Sequence, residues 1–234
     1  MIRSVLICPG NREDLLAKLP ETNADAFAID LEGVPEQEKE KTREHLPEIL
    51  ATLRDQCPET KCYVRINDAG SRYALGDLNV ALNAPIHGII LPRLCADEEL
   101  VSVRAFILQA LERRPFMHVI AIIESAAGLA LLEKLLEEWR CLTGLAFGAE
   151  NFMADMGGRY RADSQQTLYA RSRIVLAARA AGLAALDHDY KDVYNAAGFA
   201  EDTRLGRDLG YTGKLCLTSS QVELVNQEFS QTEG

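Results

Sequence analysis

Eight short apolar runs, recurring about every thirty residues with helical patterning between them, constrain this chain more than any other feature. They read SVLIC (Ser4–Cys8), AFAIDL (Ala26–Leu31), CYVRI (Cys62–Ile66), GIIL (Gly88–Leu91), HVIAII (His118–Ile123), GLAF (Gly144–Phe147), AAL (Ala184–Leu186) and GKLCL (Gly213–Leu217). The runs are continuous. A strand with one wet face alternates apolar and polar residues, whereas a strand covered on both faces does not, as in a parallel sheet flanked by helices.

The intervening segments fit helices. Leu129, Leu132, Leu135, Leu136 and Trp139 share one face of a helix predicted over 129–139. Gln166–Ala181 is rich in Ala and Arg, with Gly182 as its stop signal. Asn11 or Arg12 to Leu19 and Asp97 to Leu111 fill the same role. Eight strands alternating with helices predict an α/β chain folded as one (β/α)₈ TIM barrel domain over residues 1–234. The 47% hydrophobic content suffices for one large core of that size. An open doubly wound sheet is the alternative, but no GxGxxG follows the first strand.

In such a barrel chemistry gathers at the C-terminal strand ends. There the sequence places Asp30 and Glu32, Arg65 and Asn67, Arg93, Glu124, Glu150 and Asn151, and Asp187, His188 and Asp189. A charge buried at the end of an apolar strand must be paired or ligated. Mutual salt bridges are one reading of the set Asp30, Glu32, Glu124, Glu150, Asp187, Arg65 and Arg93. A hard-cation site beside an anion clamp is the other, and oxygen donors without Cys favour Mg²⁺ or Mn²⁺ over zinc. His188 reads as a hydrogen-bonded strand-end residue.

Other chemistries are excluded. A Schiff-base aldolase needs a lysine near the strand ends, but Lys61 and Lys214 lie at strand starts. The segments HDYKDVYN and TSSQ lack the Gly-rich loops of a sugar-phosphate barrel. The net charge of −10 argues against a nucleic-acid partner but leaves room for a small anion held by a few local cations. No apolar stretch reaches the roughly eighteen residues of a membrane span, and the start lacks a signal-peptide pattern. The expectation is a soluble cytoplasmic protein. Six cysteines without CxxC spacing fit small buried hydrophobes in a reducing compartment.

The segments RSVLICPGNR, AFAIDLEGVPEQEK, VRIN, GIILPR, VIAIIESAAGL, GLAFGAEN, YARSRIVLAARAAGL and GKLCLTSSQVELVN, in this order from Arg3 to about Asn226, resemble the citrate lyase beta-subunit family, within a wider group of metal-dependent aldolases and acyl-CoA lyases. The resemblance implies a (β/α)₈ barrel, assembled as a homotrimer or hexamer. It implies Mg²⁺-dependent cleavage of the carbon–carbon bond of a 3-hydroxyacyl-CoA thioester of the citryl, malyl or citramalyl type, giving acetyl-CoA and a short keto acid. Glu124 would be one metal ligand, and Asn151 stands where the family places the second, an Asp. Arg65 would grip the substrate, with Asp30 and Glu32 supporting it and the metal-bound waters. Arg3, Arg12, Lys18, Lys39 and Arg93 would be candidates for the CoA phosphates, a solvated surface charge being the competing reading of the first four. Glu150 would support the site without ligating, and Asp155 would lie in the following helix.

Three positions depart from the family pattern. Asn151 replaces an acid, Gly33 replaces the last acid of D-L-E-D, and Thr218 and Ser219 replace His and Pro in the last strand motif. The sequence ends at Gly234, so the helical lid that longer members carry, with its proton-transfer acid, is not expected. A CoA-binding paralogue with weak or no lyase activity is therefore the competing function, followed by an aldolase acting on free keto acids. The Arg- and Ala-rich face of 166–181 is a candidate interface, packing on its own barrel being the alternative.

Overall fold

The computed structural model describes residues 2–95, 99–161 and 165–230. Every predicted run is a strand, its ends moved by at most one residue: β1 Ser4–Pro9, β2 Ala26–Asp30, β3 Lys61–Arg65, β4 Gly88–Leu91, β5 His118–Ile123, β6 Gly144–Phe147, β7 Ala184–Asp187 and β8 Gly213–Cys216. They pair in sequence order, all parallel, and β1 closes on β8. The expected (β/α)₈ barrel is the observed one.

Apolar residues on both strand faces explain the continuous runs. Val5, Ala26, Ala28, Tyr63, Ile90, Ile120, Ile122, Ala146, Leu186 and Leu215 fill the barrel interior. Their strand neighbours, among them Phe27, Ile29, Val64, Ile89, Ile123 and Phe147, join the layer beneath the helices. Tyr63 fills the lower interior, its hydroxyl 2.6 Å from His118 Nδ1.

The helices are α1 Glu13–Leu16, α2 Lys39–Gln56, α3 Ala74–Leu82, α4 Glu99–Arg113, α5 Ala126–Ala130, α6 Leu132–Glu138, α7 Ala149–Asp155, α8 Leu168–Ala180, α9 Ala196–Leu209 and α10 Ser219–Ser230. Some differ from expectation. The helix predicted over 129–139 breaks at Leu131 (φ −104°, ψ 14°), although Leu129, Leu132, Leu135 and Trp139 are all buried as the pattern required. The segment after β1 is only one turn followed by a 3₁₀ turn at Leu19–Glu21, where Pro20 has no N–H with which to continue a helix. The predicted start at Asp97 lies outside the described residues. Gly182 ends α8 in the left-handed region (φ 71°), where a side chain would be strained. Among the described residues, no helix is long and apolar enough to cross a membrane. Cys8, Cys57, Cys62, Cys141 and Cys216 are free thiols.

One buried ionic cluster anchors the end of β7. Arg171 of α8 is fully buried and bonds both oxygens of Asp187 (3.1 and 2.5 Å) and Asp202 of α9 (2.8 Å). Lys214 of β8 reaches the same two acids at 3.0 and 2.7 Å. Two acids face two bases, so the cluster balances its charge without solvent. Burial opposes the charged form of Asp187, and Lys214 and Arg171 reverse that, holding its carboxyl below the usual range. One expectation is corrected here. Asp187 does not converge on the rim: Leu186 takes the inward position, so Asp187 points outward beneath the helices. Arg171 thus lies on the face of α8 that packs on its own barrel, the alternative kept for 166–181.

Candidate active site at the strand ends

The register of β2 on β3 builds the first wall. Asp30 and Arg65, the last residues of their strands, are direct partners. Arg65 Nε and Nη2 each lie 2.7 Å from one Asp30 oxygen, a two-pronged clamp, and Nη1 lies 3.4 Å from Glu32 Oε2. Asp30 also accepts the N–H groups of Glu32 (2.9 Å) and Gly33 (3.1 Å), so one carboxylate fixes both the turn and the cation. A Cβ at Gly33 would stand 2.5 Å from Asp30 Oδ2 as that carboxylate is placed here. Lys39 serves the same wall: its ammonium bonds Leu31 O, Glu32 O and Asn67 Oδ1. With all three donors engaged, it is not free to grip a phosphate.

Glu124 forms the second wall. It is 5% exposed, follows β5 directly and is held at both oxygens. Oε1 accepts the Arg93 backbone N–H (2.8 Å) and Oε2 accepts Asn151 Nδ2 (2.9 Å). Arg93 makes its contact from a left-handed conformation (φ 48°), unusual for a non-glycine residue. Its contribution is thus the backbone, while its side chain stays exposed 3.9 Å from Asp155. Gly148 makes room for Glu124, because a Cβ there would come within 2.5 Å of Oε2. Burial raises the Glu124 carboxyl against the pull of Asn151, Arg65 and the Arg93 N–H. Burial likewise pushes Glu32 up to about 7, Arg65 opposing and Glu124 and Asp30 adding to it.

The third wall was not anticipated in full. Asp189 and Lys191, in the segment after β7, line the same cavity, with Lys191 Nζ 2.8 Å from Asp189 Oδ2 and 3.7 Å from Glu150 Oε2. Asp189 carried only the weak signal of a strand-end acid, and nothing in the loop pattern marked Lys191. The cavity measures about 470 Å³ and is floored by Ile7, Ile122 and Leu215. Glu150 lines it without bonding Glu124. Asp155 accepts the Ala126 N–H (2.7 Å) at the start of α5, away from Glu124.

The expected phosphate candidates do not gather here. Arg3 precedes β1, at the opposite end of the barrel, and is clamped by Asp25 and Ser230; that expectation is corrected. Arg12 pairs with its neighbour Asp14 (2.7 Å), and Lys18 is exposed between α1 and the 3₁₀ turn. Neither lines the cavity.

Five carboxylates face two cations around this cavity: Asp30, Glu32, Glu124, Glu150 and Asp189 against Arg65 and Lys191. The donors are oxygens from carboxylates and an amide. This excess, with two of the acids pushed up, fits a hard divalent cation at Glu124. Asp187, His188 and Asp202 also have metal-like spacing. There, however, Arg171 and Lys214 already satisfy the two acids, and a further cation would be repelled.

Known proteins resemble this chain over its length. A citrate lyase subunit beta-like protein of Deinococcus radiodurans is 35% identical over all of this chain and 82% of its own length. Human mitochondrial citramalyl-CoA lyase is 32% identical over 97% of this chain and 71% of its own. The crystal structure of the protein CitE from Mycobacterium tuberculosis in complex with magnesium, acetoacetate and coenzyme A superposes with a TM-score of 0.78 at 28% identity, covering 97% of this chain and 80% of that one. The HpcH/HpaI aldolase/citrate lyase family model matches residues 3–219. The chain belongs to the HpcH/HpaI aldolase/citrate lyase family.

Proposed function

We propose that this chain is a Mg²⁺-dependent carbon–carbon lyase for a 3-hydroxyacyl-CoA thioester, releasing an acyl-CoA such as acetyl-CoA and a short keto acid. One observation carries the reading: Glu124 and Arg65 face one cavity, each fixed by partners that leave it aimed inward. The relatives' names support the substrate class.

Cleavage removes the proton of the 3-hydroxyl, turns that carbon into a carbonyl, and leaves the C2–C3 electron pair on C2 as a thioester enolate that is then protonated. Mg²⁺ would be held by Glu124 and, after its amide turns, by Asn151 Oδ1, and would supply Lewis-acid polarisation of the forming keto oxygen. Arg65 orients the ligand and offsets the negative charge that develops on it. Asp30 keeps the guanidinium from turning. Glu32, pushed up to about 7, is the cavity acid suited to exchange a proton near neutral pH. The buried floor excludes water beneath the reacting carbons.

The second reading, a CoA or acyl-CoA binder with weak or no lyase activity, draws on one observation. Asn151 points its Nδ2, not its oxygen, at Glu124. A homo-oligomer is also proposed, on the exposed Leu168, Tyr169 and Leu176 of α8.

Calorimetry with Mg²⁺, alone and with acetyl-CoA plus pyruvate, glyoxylate or oxaloacetate, tests the site, and formation of the 3-hydroxyacyl-CoA in the same mixtures tests the reaction. Metal binding with turnover is expected. Absence of metal binding in every mixture refutes the lyase, and metal binding without turnover in any of them establishes the binder.

A further inference from the structure

The cavity holds two cation–acid pairs of the same design. Arg65 at the end of β3 is backed by Asp30, and Lys191 beyond β7 is backed by Asp189. In a closed eight-stranded barrel β3 and β7 stand across from one another. The pairs therefore occupy opposite walls, with Glu124 of β5 between them.

The fold anchors the backbone of the Lys191 wall, while the Lys191 side chain stays half exposed to the cavity mouth. Asp187 is clamped by Arg171 and Lys214. His188 is fully buried, with Nδ1 on Asp189 O at 2.6 Å and Nε2 3.4 Å from Asp202. Gln221 Nε2 bonds Tyr190 O at 2.9 Å, and the Tyr190 ring is buried. Of the segment 187–191, Asp189 and Lys191 alone line the cavity. Such an anchored backbone sets where these side chains start, and Asp189 holds the Lys191 ammonium at the cavity. Asp189 is within hydrogen-bond reach of the Lys191 ammonium, whereas Glu150 at 3.7 Å is beyond it, so donors remain for a ligand.

We propose that Lys191 is a specificity-determining residue, receiving a second carboxylate on the keto-acid portion of the substrate, beyond the carboxylate next to the reacting carbonyl. The proposal rests on the lyase reading above. The cavity's size identifies the ligand group. At about 470 Å³ it accommodates the acyl portion, while the pantetheine arm carries the CoA phosphates well outside. A cation lining this space meets the acid and not the nucleotide. A carboxylate between Lys191 and the site at Glu124 makes a charge-assisted hydrogen bond that a monocarboxylate cannot make.

The test compares oxaloacetate, with two carboxylates, and pyruvate, with one, binding to the full chain in the presence of Mg²⁺ by calorimetry. The wild type is expected to prefer oxaloacetate by about tenfold or more, the worth of one charge-assisted bond. Lys191→Met should lower oxaloacetate affinity about tenfold to hundredfold and leave pyruvate within about twofold. Lys191→Arg should recover part of the loss, which a merely structural role would not predict. Equal weakening of both acids, or no change for either, overturns the proposal. Binding of neither acid by the wild type refutes the lyase reading and this proposal with it. A melting temperature for each variant matched to wild type shows that the fold is intact.

Discussion

Replacing Asn151 with Asp perturbs the site where charge matters most. In the structure Asn151 Nδ2 donates to Glu124 Oε2 at 2.9 Å, a hydrogen bond to a charged acceptor worth about 1.5–3 kcal/mol. The Asp variant removes that donor and sets two carboxylates about 2.9 Å apart. At an effective dielectric of about 20 their repulsion is about 6 kcal/mol. The pair can escape by keeping a proton, which at pH 7 costs about 1.4 kcal/mol for each of the roughly three units above an ordinary carboxylate, or about 4 kcal/mol. Residue 151 is exposed, and solvent screening reduces the cost further, to about 1–3 kcal/mol. For a chain of this size that lowers the melting temperature by about 3–9 °C without metal. Mg²⁺ replaces the missing proton or donor, so the variant should recover this loss and bind the ion about tenfold or more tightly than wild type. Thermal melts at pH 7 over a Mg²⁺ series read both effects, and a metal-free series at lower pH reads the proton. Stability of the metal-free variant should rise relative to wild type as pH falls from 7 toward 5, because the folded pair binds a proton that the unfolded acids release. An Asp variant that melts with wild type and shows the same Mg²⁺ shift refutes the placement of the ion at Glu124.

Other outcomes follow from neighbouring contacts. Gly148→Ala puts a methyl about 2.5 Å from Glu124 Oε2; overpacking should cost about 1–3 kcal/mol in urea melts and remove calorimetric Mg²⁺ binding. Lys214→Met removes one of the two cations that bridge both buried acids, and should cost about 3–5 kcal/mol in the same melts, because the charge it leaves uncompensated has no solvent. Arg3→Ala should lower stability by about 0.5–1 kcal/mol and leave CoA and keto-acid binding unchanged. Arg3 outweighs burial and holds the Asp25 carboxyl below its usual range, so this contribution is present above the ordinary carboxylate value and is lost as pH falls below it. Urea melts of wild type and variant at pH 7 and pH 3 should therefore converge at the lower pH.

The barrel was legible because burial on both faces makes each strand an apolar run. The same property hid the facing of the strand-end charges. In Ala184–Asp187 no polar alternation marks which side is inward, so Asp187 reads as a rim residue although it faces the helices. Asp30, Arg65 and Glu124 were recognisable as charges ending apolar strands, and their register brings them to one cavity. Lys191 lies in a loop, where no periodicity speaks for a side chain. Arg3 stands before its strand, and that order alone places it at the far end of the barrel. The amide of Asn151 was visible, but its direction depends on Glu124, which is 27 positions away.

The economy of Asp30 has a cost for change. One side chain closes the β2 turn, leaves no space for a Cβ at Gly33 and holds Arg65. Mutational drift on that side disturbs all three duties together, so new ligand preferences have little room to arise there. Lys191 pairs with Asp189 and Glu150, and its backbone is anchored through Gln221 and Tyr190, which do not line the cavity. The barrel thus has a conservative wall and a permissive one, and a library meant to retarget this scaffold should be spent on the segment after β7.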